Sequence, residues 1–181
     1  MWAFRSVYKG PTMLGYVVAE GRGAGDLLIQ DVTMRLSAAG LSLAGAVQVN
    51  VETDAAHKCL MDLHILSGQD RIRISQNLGR LSQGCRLDPE GLERAVGLVA
   101  AALGAGADCL IVNKFGKQEI DGRGFRPLIG DALASGIPVL TAVNENNLDE
   151  FLEFAQDMAE RLPEDPGLVA DWCLSRAAST D

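Results

Sequence analysis

Two short polar segments carry the residue types that could bind an anion or act on it. The first contains Gly21, Gly23 and Gly25, which alternate directly before Asp26. Glycines let the backbone turn sharply, so that N–H groups and the N-terminus of a following helix can face an anion. The candidate ligand-binding residues of this first segment are Arg22, Gly23, Ala24, Gly25 and Asp26.

The first segment resembles a phosphate-binding loop but departs from it where phosphate and magnesium would be held. A P-loop requires Gly-Lys-Ser/Thr, whereas Gly25 is followed by Asp26 and Leu27. The lysine on the phosphates and the hydroxyl on magnesium are therefore missing, and Asp26 would repel a polyphosphate. Two simpler interpretations stay open: Asp26 caps the following helix, or the glycines only connect a strand to a helix.

The second polar segment, residues 113–124, supplies cations and a carboxylate. With the N–H groups of the first segment, its cations could hold an oxyanion or a mononucleotide phosphate without magnesium. Glu119 is the candidate general base, although it could instead pair with Lys117 or Arg123. The candidate ligand-binding residues of this segment are Asn113, Lys114, Lys117, Glu119 and Arg123.

The cysteines and histidines do not form a metal-binding pattern. The four cysteines are far apart and include no CxxC pair, and neither histidine has a partner at metal-ligand spacing. The sequence therefore predicts no metal site. Cys109 lies in an apolar run and is expected to be a buried thiol. Cys85 lies beside Arg86 in a polar stretch, and whether it is reactive stays open.

The elements around the polar segments alternate between strand and helix. The apolar runs predict buried strands at 13–19, 43–49, 109–112 and 137–143. The periodic segments predict helices at 26–39, 88–104, 124–134 and 148–162, with a short closing helix at 168–176. A hairpin is predicted from the runs 63–66 and 71–74, around the turn 67–70.

This alternation predicts an α/β fold of three layers, with a mostly parallel sheet covered by helices on both faces. Ligands of such sheets bind beyond the carboxyl ends of the strands, which is where both polar segments fall. We therefore expect the two segments to meet at one edge of the sheet. The chain is predicted to be a single domain over residues 1–181, with residues 162–181 as a C-terminal helical extension.

Length and composition exclude several classes of protein. The chain has 181 residues, a net charge of −8 and 48% hydrophobic residues, which fits one globular core and not a disordered chain. The acidic balance argues against nucleic acid or an anionic membrane as a partner. No apolar run is long enough to insert into a membrane and no signal-peptide pattern is present, so we expect a cytoplasmic location. A homo-oligomer is compatible with the sequence.

The second segment resembles the THEP-type P-loop nucleoside triphosphatases. Gly116, Lys117 and Glu119 agree with that family's Asp-Glu-Ile-Gly-Lys-Met-Glu motif. Asn113 and Lys114 stand where the family has its magnesium-linked Asp and the following Glu. The resemblance covers most of residues 13–162 and implies a P-loop-NTPase-like fold with degenerate Walker motifs.

These departures have two consequences for the site. Ordinary magnesium-dependent hydrolysis is not expected, because single electrostatic contacts at a reacting centre contribute orders of magnitude in rate. Asp26 stands where a P-loop has its lysine, and Lys114 stands where the family has a glutamate. Because the two charges are reversed together, we also predict an ion pair between Asp26 and Lys114. The alternative is that both are solvated surface charges, which contribute little to stability.

A closer resemblance is to an uncharacterised bacterial family that is related to these NTPases and often encoded near molybdate transport functions. It rests on four motifs in order: 23–26, 45–48, 84–88 and 113–119. We interpret the chain as a nucleotide- or oxyanion-binding protein, and the genomic context implies an accessory role in molybdenum metabolism. The sequence does not identify a cofactor. The alternatives are an enzyme that acts on a phosphorylated substrate through Glu119, and a regulatory or scaffold protein that binds no ligand.

Overall fold

A computed structural model describes residues 10–52, 59–79 and 86–180. The strands are β1 (Leu14–Val17), β2 (Leu43–Val51), β3 (Leu60–Ile65), β4 (Arg71–Arg73), β5 (Cys109–Phe115), β6 (Val139–Val143) and β7 (Ala159–Arg161). The α-helices are α1 (Ala24–Ala38), α2 (Pro89–Gly104), α3 (Lys117–Ile120), α4 (Arg126–Ala134), α5 (Leu148–Ala155) and α6 (Pro166–Ala177). Cys85 and His57 lie outside the described residues.

The strands form one sheet in the order β4-β3-β2-β5-β6-β1-β7. From β2 to β7 in this order, neighbouring strands are parallel. β3 runs antiparallel to β2 and to the edge strand β4, and β3 and β4 form the predicted hairpin. This arrangement confirms the predicted three-layer α/β fold and is compatible with a P-loop-NTPase-like architecture. No helix in the described ranges combines the length and apolar character needed to span a membrane.

Two apolar clusters hold the helices against opposite faces of the sheet. One cluster packs α2, α4 and α5 on the sheet, and the other packs α1 and α6. Because side chains alternate along a strand, Leu110 of β5 enters the first cluster while Cys109 enters the second. Cys109 is fully buried, as predicted, and a hydrogen bond with Cys173 together with burial raises the pKa of its thiol.

The two helices nearest the site begin in different ways. Asp88 caps α2, because its carboxylate accepts a hydrogen bond from the Glu90 N–H at 3.1 Å. The suggestion that Asp26 caps α1 is wrong. The helix begins two residues earlier, after Gly23, whose φ of 75° suits glycine. Asp26 therefore lies in the first turn, near the positive end of the helix dipole.

The predicted helix over 148–162 is correct only in its first half. The helix α5 ends at Ala155, because Gln156 turns the chain with a φ of 49°. Residues 159–161 then form β7, which pairs with β1. The buried Leu162 consequently packs on the opposite face of the sheet from Phe151. Apolar spacing alone could not distinguish this turn from a continuing helix.

Candidate functional site

A cavity of about 600 Å³ opens at the edge of the sheet where β5 and β6 end. It lies on the face covered by α2, α4 and α5, and its walls come from segments that are far apart in the chain. The apolar floor consists of Met61, Leu63, Ile74, Leu87, Leu92 and Phe125. The amide side chains around it are Gln48, Asn113, Gln118, Asn144, Asn146 and Asn147.

The charge of the cavity is opposite to the charge of the whole chain. Its lining includes one acidic residue, Glu119, and four cations, which are Arg22, Arg86, Lys114 and Lys117. Arg86 donates to the Cys59 carbonyl oxygen at 2.7 Å. The other three cations are exposed and form no ion pair with any residue that the structure describes. In a chain of net charge −8, this local excess of positive charge favours an anionic ligand.

The two polar segments meet at this edge through Asp26 and Asn113. Asp26 Oδ1 accepts a hydrogen bond from Asn113 Nδ2 at 2.7 Å. Asp26 Oδ2 accepts from Asn50 Nδ2 at 3.2 Å and from Gln48 Nε2 at 3.5 Å. The first polar segment thus meets the end of β5, as expected, but through amide side chains and not through a cation.

The predicted ion pair between Asp26 and Lys114 is wrong. No such pair occurs among the described residues, because Asn113 occupies the position next to Asp26. Lys114 instead lies near Glu119, and its charge opposes the rise that burial causes in the pKa of that carboxyl.

Gln48 and Asn113 are both almost fully buried, with 3% and 4% of their surfaces exposed. The Gln48 backbone N–H donates to Asn113 Oδ1 at 2.8 Å, which continues the contact between β2 and β5 beyond their last paired residues. Gln48 Nε2 donates to Asn50 Oδ1 at 2.9 Å. Gln48 Oε1 is buried and has no hydrogen-bond partner in the described part of the chain.

Glu119 is a buried carboxyl on the cavity wall, with 4% of its surface exposed. Oε2 accepts from the Gly116 N–H at 2.9 Å, and Oε1 accepts from the Phe125 N–H at 3.1 Å. Burial raises the pKa of Glu119, and these two hydrogen bonds oppose the rise. The suggested pairing with Lys117 or Arg123 is therefore replaced by backbone contacts.

The predicted site residues divide into two groups. Five of them line the cavity, namely Arg22, Asn113, Lys114, Lys117 and Glu119. Gly23, Ala24, Gly25 and Asp26 lie beside it at the start of α1, outside the lining. Arg123 is also outside, and it pairs with Asp121 at 3.5 Å on the surface.

Of the amide side chains that line the cavity, only Asn113 was predicted from the sequence. Asn144, Asn146 and Asn147 follow β6 directly, so their place after a parallel strand could have identified them. Gln48 had no comparable signal, because it lies inside a strand. Across residues 10–52, 59–79 and 86–180, no three His, Cys, Asp or Glu residues come together in a way that could hold a metal ion.

Comparison with known proteins gives one family and one curated relative. A family model described as "Protein of unknown function (DUF2478)" matches residues 14–172. The curated relative is the molybdenum import ATP-binding protein ModC 2 of Bradyrhizobium diazoefficiens, which is 34% identical over 148 residues. The match covers 81% of this chain but only 16% of the relative. No solved structure matches the chain.

Proposed function

The chain belongs to the DUF2478 family of proteins of unknown function, and we propose from its cavity that it binds a nucleotide or a related small organic anion. The observation that carries this proposal is the lining, in which four cations face one buried carboxyl in a chain of net charge −8. Arg22, Lys114 and Lys117 are free of ion pairs within the described ranges and can therefore turn to a ligand.

The apolar floor favours an organic anion over a bare oxyanion. A cavity of about 600 Å³ lies within the usual range of about 300–1,000 Å³ for small-molecule sites. An inorganic oxyanion would contact the cations but leave the apolar floor in water. A nucleotide would place its phosphate on Lys114 and Lys117 and its base against the floor, where apolar burial adds to the binding energy.

Binding without hydrolysis is part of the proposal. Asp26 stands where the resemblance to P-loop enzymes expects a lysine, and Asn113 stands where it expects the magnesium-linked carboxylate. The two side chains are hydrogen-bonded to each other, so neither is free to bind a phosphate or a metal ion. The relative is described as an ATP-binding protein, which supports a nucleotide ligand, although this chain corresponds to about a sixth of it.

An accessory role in molybdenum import is the biological setting that we propose. The name of the relative connects a segment similar to this chain with molybdenum import in one polypeptide. The nucleotide site would then serve that process as a sensor or regulator. Direct binding of molybdate is the competing possibility. Calorimetric titration with nucleotides and with molybdate distinguishes the two ligands.

A second candidate function is an enzyme that acts on a phosphorylated substrate. The specific observation in its favour is Glu119, a carboxyl on the cavity wall whose pKa is raised by burial. A carboxylate with a raised pKa is a stronger base, which suits proton abstraction from a bound substrate. Slow turnover of a phosphorylated compound, lost in Glu119→Gln with binding retained, would favour this candidate.

Calorimetric titration tests the binding proposal. The probes are AMP, GMP, ATP, molybdate, sulfate and phosphate, each without magnesium. We expect a nucleotide to bind wild type, Lys117→Ala to weaken binding about tenfold or more, and the matched control Arg123→Ala to leave it unchanged. Binding of molybdate alone would favour the oxyanion, and binding of none would overturn the proposal. Equal affinities in both variants would place the site elsewhere.

A further inference from the structure

We infer that Gln48 determines which ligand the cavity accepts, by receiving a hydrogen bond from an exocyclic amino group of a nitrogen heterocycle at its side-chain oxygen, Oε1. This inference rests on the proposed function and adds the chemical class of the ligand. The cations would select the anionic group, whereas Gln48 would select the ring.

The first observation is that Gln48 Oε1 lacks a partner. The residue is 97% buried and lines the cavity, and within the described residues Oε1 is the one buried side-chain nitrogen or oxygen atom without a hydrogen bond. Buried polar atoms are nearly always paired, so each exception requires an explanation. Because Gln48 forms part of the cavity wall, we assign this exception to a donor on a bound ligand, which a small shift of the wall would admit to Oε1.

The second observation is that the amide of Gln48 is held in one orientation. Its Nε2 donates to Asn50 Oδ1 at 2.9 Å and to Asp26 Oδ2 at 3.5 Å. Flipping the amide would set its oxygen against these two acceptors, which is unfavourable. The backbone is held as well, since the Gln48 carbonyl oxygen accepts from Gln30 Nε2 at 2.7 Å. Oε1 is therefore a fixed acceptor, and Asp26 is a positioning residue.

A fixed acceptor that is shielded from water discriminates strongly between ligands. A ligand N–H bonded to Oε1 would not compete with solvent, and a ligand that presents an acceptor there would be repelled. Sites built to hydrogen-bond one group reject analogues that lack it, because the buried polar atom of the protein then stays unpaired. A fully ionised oxyanion has no N–H to offer, so Gln48 also favours an organic ligand.

The remaining lining agrees with a flat heterocycle that carries an anionic group. Ile74, Leu92 and Phe125 supply an apolar surface for a ring, and the side chains of Asn144 and Asn147 add polar groups at its edge. Lys114 and Lys117 lie at the same opening for the anionic group. The ligand class that meets all three requirements is an amino-substituted purine mononucleotide or a similar amino-heterocycle phosphate.

Two pairs of nucleotides test the inference on the full chain. AMP differs from purine riboside 5′-monophosphate by one exocyclic amino group, and GMP differs from IMP by another. We expect wild type to bind the amino member of at least one pair tenfold or more tightly in calorimetric titration. In Gln48→Met, which removes the acceptor but keeps the chain length, this preference should fall to within about twofold. Gln69→Met, in the exposed turn between β3 and β4, is the matched control and should keep it.

The outcomes separate this inference from the proposed function. If wild type binds both members of each pair equally, or prefers the members without the amino group, the inference is wrong while nucleotide binding stands. If no nucleotide binds, the proposed function itself fails. A preference that survives in Gln48→Met would also overturn the inference. Should Gln48→Met not fold, Gln48→Asn, which withdraws the oxygen by one methylene, must show the same loss of preference.

Discussion

Replacing Asp26 by alanine should destabilise the protein far more than its partly exposed position suggests. The substitution removes the acceptor for Asn113 Nδ2 at 2.7 Å, and hydrogen bonds to charged groups contribute about 1.5–3 kcal/mol. It also removes a negative charge from the first turn of α1, which contributes about 0.3–1 kcal/mol. We therefore expect a loss of about 2–4 kcal/mol in the free energy of unfolding.

Urea denaturation fitted to two states, together with the thermal midpoint, measures this loss. For a chain of this size each kcal/mol lowers Tm by about 2–4 °C, so Tm should fall by roughly 4–16 °C. Asp31→Ala on the same helix is the matched control. Its ion pair with Arg35 is exposed and should contribute little to stability. If the two variants lose equal stability, the network around Asp26 has no energetic role.

Three further predictions concern the cavity wall and the chemistry. Gly124→Ala should lose about 2 kcal/mol more stability in urea than Gly122→Ala. Both glycines have positive φ, but of the two only Gly124 would place the new Cβ against Glu119 Oε1. Because its folded pKa is raised above the ordinary 4.5, Glu119 binds protons more tightly in the native state. Wild type should therefore lose stability relative to Glu119→Gln as pH rises from about 4.5 through the raised pKa, and an unfolding series with a pH-independent difference would contradict this. With magnesium and ATP, phosphate release should stay at background, and turnover that disappears in Asp26→Ala would contradict that expectation.

Local chemistry explains which parts of the fold could be predicted from the sequence. Asp88 and Pro89 mark the start of α2 through capping and a fixed φ, and both effects depend only on neighbouring residues. The apolar run at Cys109 predicts a buried strand because both of its faces are covered. The turn at Gln156 had no such signal, since its positive φ follows from the pairing of β7 with β1, about 145 residues away.

The sequence predicted where the candidate cavity lies better than it predicted the residues that line it. The rule for parallel sheets places Asn113, Lys117 and Glu119 at the edge where this cavity opens. The partner of Asp26 was predicted wrongly: reciprocal charges suggested Lys114, whereas the side chain that Asp26 contacts is Asn113. Gln48 required knowledge of which side-chain atoms remain unpaired, and that knowledge comes only from three-dimensional coordinates.

The position of β1 between β6 and β7 also determines when the sheet can be completed during synthesis. β1 is the first of these strands to be made, yet its partners begin at residues 139 and 159. At about 5–20 residues per second, the apolar stretch Leu14–Val17 waits roughly 6–30 s for them. The meander of β2, β3 and β4 pairs within residues 43–73 and can form during that interval. On the ribosome, Leu14–Val17 therefore stays an exposed apolar segment through most of the synthesis of the chain, because every one of its residues is buried only in the finished sheet.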